Sequence, residues 1–138
     1  MKKLQLVAHP ADVCIKATGT SLDDIFSASL EGLCSILIRD FDTQNFEQKE
    51  QFELTVNSDD LECLLVEFLS ESLRIMHTHK VILIDSTFEY IKQNSLKATL
   101  IAAEIEEFDE DVKAVTYYQA KVEFLENSYF ISKITLDI

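Results

Sequence analysis

The stretch DLECLLVEFLSESLRIM, residues 60–76, decides the fold. Leu61, Leu64, Leu65, Phe68, Leu69, Leu73, Ile75 and Met76 recur at helical spacing, and Cys63 and Val66 widen the stripe. Glu62, Glu67, Glu71 and Arg74 mark the polar side. Apolar residues returning every three to four positions define an amphipathic helix, and an arc this broad implies deep packing against a sheet. Ser58 or Asp59 stands where an N-cap is needed. This helix is therefore expected at the centre of the core.

Upstream of it, residues 52–56 alternate as a strand with one wet face. Residues 39–51 are mostly polar, with Phe41 and Phe46 as isolated anchors, and read as a loop. A first helix runs from 22 to about 38 on the stripe Leu22, Ile25, Phe26, Leu30, Leu33 and Leu37. Ser21 is its cap, accepting from the amide of Asp24, which stands in the capping-box position. Two short strands, 4–8 and 13–18, open the chain. Downstream, strands are expected at 81–91 and 96–105 around Lys92-Gln93-Asn94-Ser95, then at 113–124 and 129–137 around Glu126-Asn127-Ser128. The string predicts an α+β fold: two layers, a largely antiparallel sheet packed with two main helices, in one domain spanning 1–138.

A chain of 138 residues with 47% hydrophobic content buries enough surface to fold without disulfides or metal. Twelve Lys and Arg against 25 Asp and Glu give a formal charge of -13. Nucleic-acid affinity rests largely on neutralising phosphates with basic side chains, so no direct nucleic-acid binding is expected. A role in RNA metabolism would have to act through a basic protein partner. Cys14, Cys34 and Cys63 are widely spaced and lack a C-x-x-C pair, which reads as buried thiols in a reducing compartment. The apolar run after Lys2 and Lys3 is too short for a signal peptide, and no stretch approaches a membrane span. The sequence implies a soluble, cytoplasmic protein.

With only Gly19 and Gly32 present, there is no glycine-rich loop to cradle phosphates, no G-x-S-x-G elbow and no H-E-x-x-H helix. His77 and His79, two apart at the end of the second helix, suit favourable contact with its C-terminus better than shared metal ligation. Glu104, Glu106, Glu107, Asp109, Glu110 and Asp111 form an acidic run that reads as a solvated loop or a docking surface for a basic partner. Tyr117 and Tyr118 are expected to bury one ring and expose the other. The corner His9-Pro10-Ala11-Asp12-Val13 places an imidazole and a carboxylate between two strands. At the other end, Leu136-Asp137-Ile138 offers a second carboxylate beside a carboxyl terminus. Bringing Asp12 to Asp137 would assemble oxygen ligands suited to a hard cation such as calcium, magnesium or manganese. Spacing alone gives no distance between them.

His9-Pro10-Ala11-Asp12-Val13, Leu64-Leu65-Val66-Glu67-Phe68-Leu69, Val112-Lys113-Ala114-Val115-Thr116-Tyr117 and the closing Leu136-Asp137-Ile138 resemble, in order, the motifs of the archease family. The resemblance implies a small α+β protein that serves an RtcB-type RNA ligase. That ligase joins 3'-phosphate and 5'-hydroxyl RNA ends with GTP and manganese, as in tRNA splicing. The resemblance further implies that the protein speeds guanylylation of the ligase and permits multiple turnover. By the same resemblance Asp12 and Asp137 match metal-associated carboxylates, the main chain of Ile138 adds a ligand, and Lys113 matches a functionally important lysine. His9 would support Asp12. Nucleotide and RNA chemistry would belong to the ligase, so the chain would be an activator with no catalytic residues of its own. It departs from the family pattern at Ala8, Pro10, Cys14 and Tyr118, where Asp, Thr, Gly and His are common.

Two other classes of function fit the same residues. One is a stand-alone metal-dependent phosphohydrolase using the same carboxylates. The other is an acidic binding or chaperone-like module. Metal-dependent turnover of a phosphoester by the purified protein would mark the first, and binding of a basic partner without effect on its turnover would mark the second.

Overall fold

The structure, a computed structural model, describes residues 2–9 and 12–138, with the side chains of Ala8 and His9 outside that description. In chain order the elements are β1 (Lys2–His9), β2 (Asp12–Gly19), α1 (Leu22–Leu37), β3 (Glu50–Asn57), α2 (Leu61–His79), β4 (Val81–Ile91), β5 (Ser95–Glu104), β6 (Ala114–Leu125) and β7 (Tyr129–Asp137). The α+β class and the two helices match the sequence expectation. The seven strands divide, however, into two antiparallel sheets, ordered β1-β2-β7-β6 and β3-β5-β4.

Local chemistry sets the helix ends. The Ser21 hydroxyl accepts from the amide of Asp24 at 3.1 Å, satisfying one of the four amides that a helix start leaves unpaired. Asp24 does not return to Ser21; its carboxylate takes the amide and hydroxyl of Thr20 at 3.0 and 3.1 Å. α2 is capped by Asp60, not by Ser58 or Asp59, with the Cys63 amide 2.8 Å from the Asp60 carboxylate. It also runs past Met76 to His79 before Lys80 turns left-handed (φ 54°) and returns its amide to the Met76 carbonyl. The two imidazoles of this last turn pack against aromatic rings. His77 meets Phe108 edge-on at 5.1 Å, and His79 lies 4.8 Å from Phe52.

Both helices are shared between the sheets. α1 packs on β1, β2 and β7 and also on β4, whereas α2 packs on β6 and on β3 and β4. Phe26, Phe68 and Phe88, from α1, α2 and β4, meet with ring centroids 5.4 to 6.1 Å apart. Each fully buried Leu, Ile or Phe contributes about 1.5–3 kcal/mol, and Ile15, Leu33, Leu64, Leu65, Leu69 and Ile82 are all completely enclosed. Gly32 lets α1 approach the first sheet closely. A Cβ there would meet Ile15 Cγ2 and Leu4 Cδ1 at 2.9 Å.

The acidic run is more than a solvated loop. The Asp109 amide donates to the Leu37 carbonyl at 2.8 Å and the Asp109 carboxylate accepts from the Arg39 amide at 2.7 Å, closing the C-terminal end of α1. Val112 is buried directly after it. The tyrosines also differ from expectation: Tyr117 is 56% and Tyr118 66% exposed. The β6–β7 register shifts between Thr116 and Lys121, where Gln119 takes φ 53°, so the in-out alternation that would bury one ring is broken there. Cys14 and Cys34 are buried thiols, but Cys63 is only partly so. Burial pushes the Cys34 thiol up to about 12.

Candidate functional site

The four-stranded sheet brings the two ends of the chain together. β2 pairs with β7 so that Asp12 stands directly opposite Asp137, and β7 pairs with β6 so that Asp137 stands directly opposite Ala114. Directly paired residues share a face of the sheet. Asp12 and Asp137 are therefore neighbours in one row, although 125 positions separate them in sequence (137 minus 12). The backbone of His9 completes the row, opposite Asp12 across β1–β2. The Pro10–Ala11 turn and the supporting role expected of the His9 side chain lie outside the described residues and side chains.

The core fixes this row. One residue inward, Val13, Leu136 and Val115 form the next row and are buried. The row beyond holds Cys14, Thr135 and Thr116, whose hydroxyl donates to the Thr135 carbonyl at 3.1 Å. A hollow of about 280 Å³ opens here, lined by Asp12, Thr116, Tyr118, Thr135, Leu136 and Asp137. Among the described residues, neither Asp12 nor Asp137 takes part in a side-chain hydrogen bond or an ion pair. Two adjacent carboxylates without a cationic partner attract positive charge.

Lys113 is close along the chain but lies on other ground. Its amide donates to the Asp137 carbonyl at 2.8 Å, which ties it to the same edge. It lines a second hollow, of about 300 Å³, with Arg74 and His77 of α2. The three residues singled out in the sequence thus meet at one end of the sheet, with the acids at one hollow and the lysine at the next. Thr116, Thr135 and Tyr118 escaped the sequence reading as companions of the acids, and Arg74 and His77 as companions of Lys113. The period-two spacing of Thr116 and Tyr118 from Ala114 is one signal for the first group, and the place of Tyr118 where the resembled pattern commonly has His is another.

The donor chemistry can be set against a metal. The row offers two carboxylates, the oxygen type that hard cations prefer. Among the described residues, no group of three or more His, Cys, Asp or Glu is placed to hold a metal ion. Two acids fit such an ion only with main-chain, hydroxyl or water oxygens completing its shell.

Residues 5–138 match the family model described as the Archease protein family (MTH1598/TM1083). The chain belongs to the archease family. It is 30% identical to the protein archease of Pyrococcus abyssi and 31% identical to that of Sulfurisphaera tokodaii, in each case over the full length of both chains. The fold is shared with the solution structure of Methanobacterium thermoautotrophicum protein 1598, with a TM-score of 0.77, 24% identity and 98% of each chain covered. A crystal structure from Thermotoga maritima, described as an archease and possible chaperone, superposes with a TM-score of 0.61 at 19% identity, covering 96% of this chain and 94% of that one. No helix among the described residues is long and apolar enough to cross a membrane.

Proposed function

We propose that this archease activates an RtcB-type RNA ligase, promoting GTP-dependent guanylylation of the ligase and its multiple turnover in tRNA splicing and RNA repair. The observation that carries the reading is the direct pairing of Asp12 with Asp137 in a chain whose archease match covers residues 5–138. The charge of -13 adds support, because it suits docking to a basic RNA-binding enzyme and disfavours independent RNA binding.

In this proposal Asp12 and Asp137 hold a divalent cation, with the main chain of Ile138 adding an oxygen. The cation, when bound, supplies positive charge for nucleotidyl transfer. Two carboxylates fixed by a sheet present that charge without reorganising, which is how preorganised groups lower such barriers. Lys113, held to the same edge through the Asp137 carbonyl, reaches a triphosphate or a ligase carboxylate from the neighbouring hollow.

The test follows RNA joining with ligase well below RNA concentration, comparing the wild-type chain with Asp12→Ala, Asp137→Ala and Lys113→Ala. Wild-type protein should sustain repeated turnover. Each folded variant should lose at least about tenfold of the stimulation, the scale on which removing one preorganised electrostatic group acts. Undiminished stimulation by all three would sink the proposed site. Binding to the ligase without any effect on its turnover would favour an acidic binding module, the direction suggested by the Thermotoga maritima protein's description.

A further inference from the structure

β3 is an edge strand of the three-stranded sheet, and β6 is an edge strand of the other. Between them, along α2, runs a groove of about 610 Å³ lined by residues 54–57 of β3, by Glu67, Ser70, Glu71 and Arg74 of α2, and by Tyr117 of β6. The exposed hydrogen-bonding groups of β3 follow from its register. The Ser58 amide donates to the Asn94 carbonyl at 2.8 Å, extending a ladder in which Val56 faces Leu96 and Leu54 faces Ala98. Antiparallel pairs alternate between bonded and non-bonded, so Leu54 and Val56 bond inward to β5. The main-chain groups of Thr55 and Asn57 then point outward along the free edge. Among the described residues no hydrogen bond from those two amides is found.

The floor of the groove holds a second unmet demand. Glu67 Oε2 is buried and has no hydrogen-bond partner among the described residues, while Oε1 has only the Tyr117 hydroxyl at 3.4 Å. A buried carboxyl oxygen without a donor is unfavourable, so a ligand N–H group would find favourable ground there. Arg74 does not meet it, because its guanidinium is paired with Glu71 at 2.5 Å. Desolvation, with the Glu67 carboxylate nearby, holds the Tyr117 hydroxyl above its ordinary range.

We propose that this groove takes an extended, lysine- or arginine-bearing segment of a partner protein, added as a fourth strand beside β3. The segment's main chain bonds the outward groups of Thr55 and Asn57, and one cationic side chain pairs with the Glu67 carboxylate, which turns to meet it. Strand addition of this kind draws affinity from the main chain and specificity from alternate side-chain pockets. Charge selects the occupant. The chain carries -13 overall and β3 itself carries Glu50 and Glu53, so a second copy of this chain would be repelled where a basic strand is attracted. The groove is distinct from the Asp12–Asp137 hollow and does not depend on ligase activation.

The experiment titrates the isotope-labelled full chain with a synthetic peptide of alternating lysine and valine, and with its glutamate-for-lysine counterpart, while recording amide NMR shifts. The basic peptide should shift and protect the amides of Thr55 and Asn57 and perturb Glu67, Ser70 and Tyr117. The acidic peptide should not. Glu67→Gln should weaken binding by about tenfold, as expected when a desolvated charge pair is lost. The double variant Glu106→Gln, Glu107→Gln in the acidic run, which does not line the groove, should leave it nearly unchanged. The proposal is overturned if the basic peptide does not bind. It is equally overturned if shifts gather on residues 104–111, if Glu67→Gln leaves the affinity intact, or if both peptides bind equally.

Discussion

Two adjacent rows of the four-stranded sheet have opposite character. Val13, Leu136 and Val115 are buried, and one step along the same strands Asp137 is exposed while Asp12 and Ala114 are half-buried. Side chains alternate along a strand, so a one-residue slip in β2 would turn Asp12 toward the core, and a slip in β7 would do the same to Asp137. The apolar row therefore enforces the register that makes the acids neighbours. Stability and candidate chemistry are one residue apart, and the first holds the second in place.

Breaking the apolar row should produce the largest effect. Leu136 is fully enclosed, and Leu136→Ala should cost about 2–5 kcal/mol, the usual range for a buried leucine truncated to alanine. Urea unfolding measures this as a lower midpoint at unchanged slope. A loss below about 1 kcal/mol would mean that the site can relax around the missing atoms, and that register is held elsewhere.

How much of this was legible follows from the range of each interaction. The Ser21 cap is local, made with a residue three positions on, and the sequence showed it. The α2 cap is also local, but three cap-forming residues stand in a row at Ser58, Asp59 and Asp60, and only backbone geometry selects Asp60. At the end of α2, His77 and His79 meet Phe108 and Phe52, which come from distant parts of the chain. The partition into two sheets, and with it the pairing of Asp12 with Asp137, depends on β7 inserting between β2 and β6. No periodicity reports that order. Asp12, Lys113 and Asp137 stand out in the chain through its family resemblance, but their placement at one end of a sheet does not.

Weakening the helices beneath the apolar row should have the next effect. Ser21→Ala removes the acceptor for the Asp24 amide and should cost about 1 kcal/mol, with no direct contact to the carboxylate row. Asp60 adds a pH dependence. Its hydrogen bond from the Cys63 amide holds its carboxyl below the ordinary value of 3.8. The stability it contributes is therefore fully present above that value and is lost as pH falls through the lower folded value. Asp60→Asn keeps a cap acceptor but cannot titrate, so its acid-unfolding limb should be shallower than wild type. Identical limbs would show that this cap is not coupled to global stability.

The smallest change should carry the opposite sign. Asp12 and Asp137 are directly opposed like charges with no cationic partner among the described residues. Such a pair is mildly destabilising in a sheet, so Asp137→Asn should raise stability by about 0.5 kcal/mol at low salt. The gain should shrink as salt screens the repulsion, and adding Asp12→Asn to Asp137→Asn should yield little more, because the repulsion is already gone. This separates two roles that loss of activity alone would confuse. Carboxylates that brace the sheet would make Asp137→Asn less stable, in line with Leu136→Ala. Carboxylates reserved for a cation or a partner leave the isolated protein more stable when one is removed, and under the proposed function ligase stimulation would also be lost.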